Sequence, residues 1–68
     1  KPTVFNSADE AAVELFMQGK ISYLGISDAI AKAMSEIKNI ENPTISDIWE
    51  TDKLAREIVY RLEKESLI

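Results

Sequence analysis

Between Ile26 and Ile37 an apolar side chain recurs every three or four residues. This is the spacing of one face of an α-helix, and it predicts an amphipathic helix over about residues 25–38. The members of the stripe are Ile26, Ala29, Ile30, Ala33, Met34 and Ile37. We expect the helix to start between Leu24 and Ser27, with Ser27 as a candidate cap, and to end at a left-handed Asn39 before Asn42-Pro43.

A second helix is predicted over about residues 8–18. Ser7 and Glu10 have the spacing of a capping box, in which each side chain accepts a hydrogen bond from the backbone N–H of the other residue. Gly19 is expected to end the helix in the left-handed conformation. The predicted apolar face comprises Ala8, Ala11, Ala12, Leu15 and Phe16, widened by Val13 and Met17.

The last third of the chain predicts a short helical turn and then a longer helix. The turn, residues 46–50, has Ser46 as its expected cap, and Ile45, Ile48 and Trp49 are expected to point inward. The final helix, about residues 53–65, is expected to be capped by Thr51 or Asp52. Its predicted apolar side comprises Leu54, Ala55, Ile58, Val59 and Leu62.

These elements predict an all-α fold in one domain spanning residues 1–68. The expected architecture is a small antiparallel helical bundle of three main helices plus one short helical turn. The connection between the first two helices is apolar at Ile21, Tyr23 and Leu24, so we expect it to lie across the core.

The side chains offer little for catalysis. The 68 residues include no histidine and no cysteine, which removes the commonest general base and the commonest thiol and transition-metal ligands. Asp47, Glu50 and Asp52 lack the spacing and central glycine of a calcium loop, so we expect them to cap and solvate helices. The two glycines, Gly19 and Gly25, do not form a phosphate-binding loop. We therefore expect no catalytic, cofactor-binding or metal site in this chain.

Charge and hydropathy point away from two classes of partner. The formal net charge of −4 opposes attraction to nucleic-acid phosphates and to anionic lipid. No apolar run approaches the roughly 20 residues needed to span a bilayer. We expect neither a nucleic-acid nor a membrane partner.

Three segments, in order and at their spacing, resemble the C-terminal helical domain of the 1-deoxy-D-xylulose 5-phosphate reductoisomerase family. The resemblance covers nearly the whole chain. Its segments are residues 6–14 (NSADEAAVE), residues 19–23 (GKISY) and residues 52–57 (DKLARE).

The resemblance implies a parent enzyme of the non-mevalonate isoprenoid pathway, in the bacterial cytoplasm or in plastids. Such a parent would convert 1-deoxy-D-xylulose 5-phosphate to 2-C-methyl-D-erythritol 4-phosphate with NADPH and a divalent metal, magnesium or manganese, and is expected to be a homodimer. The cofactor domain, metal carboxylates and substrate-phosphate ligands of that family lie upstream of this segment. The chain would then be a non-catalytic structural domain that packs on the catalytic domain.

The chain departs from the family pattern in two ways. Gly25 stands where the family usually has an acidic residue, and the helix that normally precedes Asn6 is missing. A four-helix bundle lacking its first helix would leave an apolar groove, bordered by Phe16, Ile30 or Val59. We therefore expect the isolated chain to self-associate or to exchange helices.

A second hypothesis needs no parent enzyme. The chain would be a free-standing acidic helical protein-interaction module, whose apolar stripe binds a partner helix in a groove. A start codon near Lys1 would favour this alternative, whereas a long upstream reading frame with cofactor and catalytic domains would favour the reductoisomerase.

Overall fold

A computed structural model describes residues 3–68, which form three α-helices. They are α1 (Thr3–Met17), α2 (Tyr23–Glu36) and α3 (Ile45–Lys64), and no strand occurs between residues 3 and 68. α1 packs against both other helices, whereas α2 and α3 share a much smaller surface. Ser7 contacts Asp52 and Glu14 contacts Tyr60, so α1 and α3 run parallel and α2 leads the chain back. The predicted all-α bundle is confirmed.

Alanine dominates the contacts between the helices. Ala8, Ala11 and Ala12 of α1 have no exposed surface. Because these side chains are short, the backbones of α2 and α3 can approach α1 closely. The other fully buried alanines are Ala29 and Ala33 of α2 and Ala55 of α3, and the larger core residues are Val4, Leu15, Ile21, Ile58, Val59 and Leu62.

Two helices end in the same hydrogen-bonded motif. Gly19 has φ +75° and follows α1, while its N–H donates to Phe16 and the N–H of Lys20 donates to Leu15. This pair of bonds is a Schellman motif, and the predicted role of Gly19 is confirmed. Ser66, with φ +60°, ends α3 in the same way although it carries a side chain.

The start of α1 differs from the sequence-based prediction. The helix begins at Thr3, and Ser7 lies inside it with only 3% of its surface exposed. The Ser7–Glu10 capping box is therefore wrong. Both side chains bind α3 instead, Ser7 to Asp52 and Glu10 to Arg56. The extra first turn also buries Val4, which gives the longer helix an apolar gain.

Both ends of α2 also differ from the prediction. Ser22, not Ser27, is the cap, and its hydroxyl accepts a hydrogen bond from the N–H of Gly25 at 3.2 Å. The left-handed residue after the helix is Asn42, with φ 51°, rather than Asn39. Pro43 explains the shift, because a proline disfavours the right-handed helical region at the preceding residue and asparagine tolerates the left-handed one.

The predicted short turn and final helix are one continuous helix. Thr44 and Asp47 form a capping box at its start, each side chain accepting from the other backbone N–H at 3.0 Å. Ser46, Thr51 and Asp52 lie inside α3, so none of the predicted caps is used. A complete cap at Thr44 lets the helix run on, because residues 51 and 52 contain neither glycine nor proline.

Several predicted core residues lie at the surface. Tyr23 and Leu24 are each 73% exposed, so only Ile21 of the connecting segment is buried. Ile45, Ile48 and Trp49 also face outward, at 86%, 43% and 73% exposure. Val59 is fully buried and cannot border a groove. Further apolar residues that prove exposed are Val13, Phe16, Met17, Met34 and Leu54.

Replacing each of the two glycines by alanine is expected to change the stability of the fold in opposite directions. Gly19→Ala is expected to destabilise the fold by about 1 kcal/mol, because alanine is strained at a positive φ. Gly25→Ala is expected to stabilise it by about 0.5–1 kcal/mol, because Gly25 is helical and the new Cβ would lie in ordinary contact with Ile21 at 3.4 Å. Urea unfolding of both variants checks the signs, and a shift of the same sign in both would contradict this account.

Candidate functional site

Three pairs of polar side chains connect α1 to α3. We call them the α1–α3 ladder: Ser7 with Asp52, Glu10 with Arg56, and Glu14 with Tyr60. On each helix the three members are spaced three or four residues apart, so they share one side of that helix. Two parallel helices can therefore match them rung by rung.

The first two rungs are joined by a hydrogen bond from Arg56 to Asp52. The Ser7 hydroxyl donates to Oδ1 of Asp52, and Nε of Arg56 donates to the same oxygen at 3.0 Å. Nη2 of Arg56 reaches Oε1 of Glu10 at 2.6 Å. Farther along, the Tyr60 hydroxyl donates to Oε1 of Glu14 at 2.8 Å. The first two rungs thus form one connected group of four side chains, and the Glu14–Tyr60 rung lies beyond them.

A separate ion pair connects α2 to α3. Nη2 of Arg61 lies 3.2 Å and 3.3 Å from the two carboxylate oxygens of Glu36. This contact spans the helix pair with the smaller shared surface. The ion pair adds little to the packing of α2 on α3, because exposed ion pairs contribute only about 0–1 kcal/mol to the stability of a fold.

The ladder shifts the ionisation of its members. The hydrogen bond from Ser7 lowers the pKa of Asp52, and Arg56 lowers it further while burial opposes them. Hydrogen bonds to Glu10 and Asp52 raise the pKa of Arg56. The bond to Glu14, with burial, raises the pKa of the Tyr60 phenol. At neutral pH each group therefore holds the protonation state that its partner requires.

These shifts predict how stability depends on pH. Asp52 has a lowered pKa in the folded state, so its contribution is present above the unfolded value of about 3.9 and is lost as pH falls through the folded pKa. Tyr60 has a raised pKa, so its contribution is present below about 10 and is lost as pH rises through the folded pKa.

Asp52→Asn should reduce the loss of stability at acid pH, because asparagine does not titrate. The expected change is about 1 kcal/mol or less, since solvent screens a carboxylate that is 40% exposed. Chemical unfolding from pH 2 to pH 7 measures it, with Asp28→Asn on the exposed side of α2 as the matched control. An unchanged acid limb in Asp52→Asn would show that the ladder does not couple to folding.

The acidic residues near the start of α3 are occupied by local contacts. Asp47 completes the cap at Thr44, and Asp52 belongs to the α1–α3 ladder. Within residues 3–68 no group of three or more acidic side chains is placed to share a metal ion.

No local signal in the sequence predicts the α1–α3 ladder. Its pattern is nevertheless present, because Ser7, Glu10 and Glu14 lie beside one apolar stripe and Asp52, Arg56 and Tyr60 lie beside another. Recognising that these two polar rows face each other requires knowing that α1 and α3 are parallel neighbours. All ladder residues except Tyr60 fall within the segments 6–14 and 52–57.

A second candidate functional site is a cluster of exposed apolar residues at the start of α3. We call it the α3 apolar surface: Ile40, Ile45, Ile48 and Trp49, which are 43% to 86% exposed. Ile45, Ile48 and Trp49 are spaced three and four residues apart on neighbouring turns. Ile40, from the segment that precedes α3, lines one groove together with Ile48.

Within residues 3–68 no helix is long and apolar enough to cross a membrane. No solved structure matches the chain. A protein-family model does: the one described as the DXP reductoisomerase C-terminal domain matches residues 1–58.

Several curated proteins are similar over most of the chain, all with the name 1-deoxy-D-xylulose 5-phosphate reductoisomerase. That of Halalkalibacterium halodurans is 44% identical over 63 residues, which is 93% of this chain and 16% of the relative. That of Caldanaerobacter subterraneus is 48% identical over 58 residues, 85% of this chain and 15% of the relative. That of Leptospira interrogans is 43% identical over 68 residues, which is 98% of this chain and 17% of the relative.

The chain thus spans about a sixth of the length of the curated relatives that it matches. The family model covers all of α1 and α2 and the greater part of α3, including the first two rungs of the α1–α3 ladder. The chain belongs to the DXP reductoisomerase C-terminal domain family.

Proposed function

We propose that this chain is the non-catalytic C-terminal structural domain of a 1-deoxy-D-xylulose 5-phosphate reductoisomerase. The supporting observation is that Ser7 and Glu10 of segment 6–14 bind Asp52 and Arg56 of segment 52–57 across α1 and α3. Those side chains hold two helices in register, which is a structural task. The parent would be an oxidoreductase that uses NADPH and a divalent metal to make 2-C-methyl-D-erythritol 4-phosphate.

The partner of the domain in this proposal is the catalytic part of the same parent chain. NADPH and the metal would be held by residues outside these 68, and the parent would work as a homodimer in the bacterial cytoplasm or in a plastid. The net charge of −4 supports the further proposal that neither nucleic acid nor membrane is a partner.

A chimera tests the structural role. In the Bacillus subtilis reductoisomerase, which is 45% identical over 58 residues, this chain replaces the matching C-terminal segment. We expect the chimera to oxidise NADPH with 1-deoxy-D-xylulose 5-phosphate, the enzyme truncated before the segment to lose activity, and the 68-residue chain alone to show none.

A ladder variant separates structure from chemistry. Arg56→Ala in the chimera removes the Glu10–Arg56 rung and the link from Arg56 to Asp52. It should lower the temperature of inactivation while leaving KM for both substrates unchanged, with Lys32→Ala on the exposed side of α2 as the matched surface control. Turnover by the isolated chain, or a fall in kcat in folded Arg56→Ala enzyme at low temperature, would contradict a non-catalytic role.

The alternative, a free-standing acidic interaction module, draws support from the exposed α3 apolar surface. The apolar stripe of α2 is only partly available to a partner helix, because Ala29 and Ala33 are fully buried. The coding sequence decides between the two: upstream cofactor and catalytic domains support the reductoisomerase, and a start codon next to Lys1 supports the module.

We also propose that the isolated chain self-associates or exchanges helices, with its exposed apolar residues as the contact surface. Sedimentation velocity over a wide concentration range tests this, and a compact monomer throughout would refute it.

A further inference from the structure

The first half of α3 adds nothing to the core. All the buried residues of the helix lie in its second half: Ala55, Ile58, Val59 and Leu62. Yet the first half carries Ile45 and Trp49, which are 86% and 73% exposed. Large apolar side chains grouped at the surface mark a contact site more often than scattered ones do. Something beyond these 68 residues is therefore expected to cover them.

The surroundings of Trp49 resemble the centre of a protein interface. Trp49 lies in a shallow pocket with Lys53, Arg56 and Glu57, so an apolar ring is bordered by charged groups. Tryptophan is among the residues that contribute most to binding, especially inside a polar rim that excludes water.

The start of α1 lies beside the same surface. Thr3 and Val4 line the groove that also contains Ile40 and Ile48. α1 thus begins next to the α3 apolar surface. The curated relatives are about six times longer than this chain, and the matched family is a C-terminal domain, so their remaining length precedes it.

We propose that the α3 apolar surface is the docking site for the preceding part of the same reductoisomerase chain, with Trp49 as its central contact. The inference rests on the proposed function, because it takes the parent enzyme as the partner. The other end of the bundle also exposes apolar residues, including Met17 and Tyr23. At that end the chain passes from α1 to α2, so the preceding part of the enzyme does not enter the bundle there.

Oxidative footprinting of the chimera described above tests the assignment. Hydroxyl radicals label exposed tryptophan and methionine, and Trp49 and Met17 are 73% and 77% exposed in this chain. Relative to the isolated chain at a dilution where it sediments as a monomer, we expect Trp49 labelling to slow about fivefold in the chimera, as for a residue in an interface core. Met17 should label at an unchanged rate.

A substitution pair gives a second readout. Trp49→Ser should make the chimera release its C-terminal domain to limited proteolysis, whereas Leu24→Ser, an equally exposed site at the other end, should not. Circular dichroism of the isolated variants confirms that both substitutions leave the helices folded, as their exposure predicts.

The outcomes separate the two proposals. An active chimera in which Trp49 labels as fast as in the isolated chain overturns the docking site and leaves the proposed function standing. Protection of Met17 instead of Trp49 also overturns it. If Trp49 is protected from labelling in the isolated chain at high concentration, and is no better protected in the chimera, the surface binds a second copy of this chain and the docking proposal is overturned. An inactive chimera with Trp49 exposed contradicts both proposals.

Discussion

Leu62→Ala is expected to lower the free energy of unfolding by about 2–5 kcal/mol, because it removes a buried side chain and leaves a cavity. Leu62 is 2% exposed and, with Val59, is among the largest fully buried side chains. A domain of this size has a total stability on the order of 3–10 kcal/mol, so the variant should lose a large fraction of it.

Leu54→Ala is the matched control for this prediction. The same atoms are removed from the same helix, but Leu54 is 47% exposed, so the expected loss is about 0.5–1 kcal/mol. Urea unfolding followed by circular dichroism measures both variants. Equal losses at the two positions would mean that α3 does not bury the side that contains Leu62.

Ala11→Leu should be almost as damaging, for the opposite reason. Ala11 is fully buried on the face of α1 that both other helices approach, so a leucine would push the backbones apart. Overpacking of a tight core typically costs about 1–3 kcal/mol, and in a bundle whose central helix supplies three buried alanines we expect the upper end of that range.

Ala31→Leu controls for the change of residue type, because Ala31 lies on the exposed side of α2. Its expected effect is within about 0.5 kcal/mol. Thermal unfolding of the two variants checks the difference. If Ala11→Leu were as stable as the control, the close approach of the helices at the alanine face would be wrong.

The helical class was predictable because it depends on spacing that survives in any helical arrangement. The stripes at Ala8, Ala11, Ala12 and Leu15 and at Ala29 and Ala33 did bury the residues at their centres. Residues at the edges of a stripe were less predictable, because Phe16 or Met34 is covered only if a neighbouring helix extends that far.

Ser7 shows where local reasoning fails. Its spacing to Glu10 fits a cap, but Asp52 and Arg56, distant in sequence, offer both side chains stronger charged partners. Trp49 shows a different failure. An apolar residue in a short isolated turn would face inward, whereas in one continuous helix it lies six residues before Ala55 and so points to another side.

The parallel arrangement of α1 and α3 has a kinetic consequence. The ladder joins residues 45 or 46 positions apart, whereas only five residues separate α1 from α2. Closing the longer loop costs more chain entropy, so we expect α1 and α2 to pair early and α3 to join after the rate-limiting step. Substitutions at Asp52 or Arg56 would then accelerate unfolding and leave the refolding rate nearly unchanged.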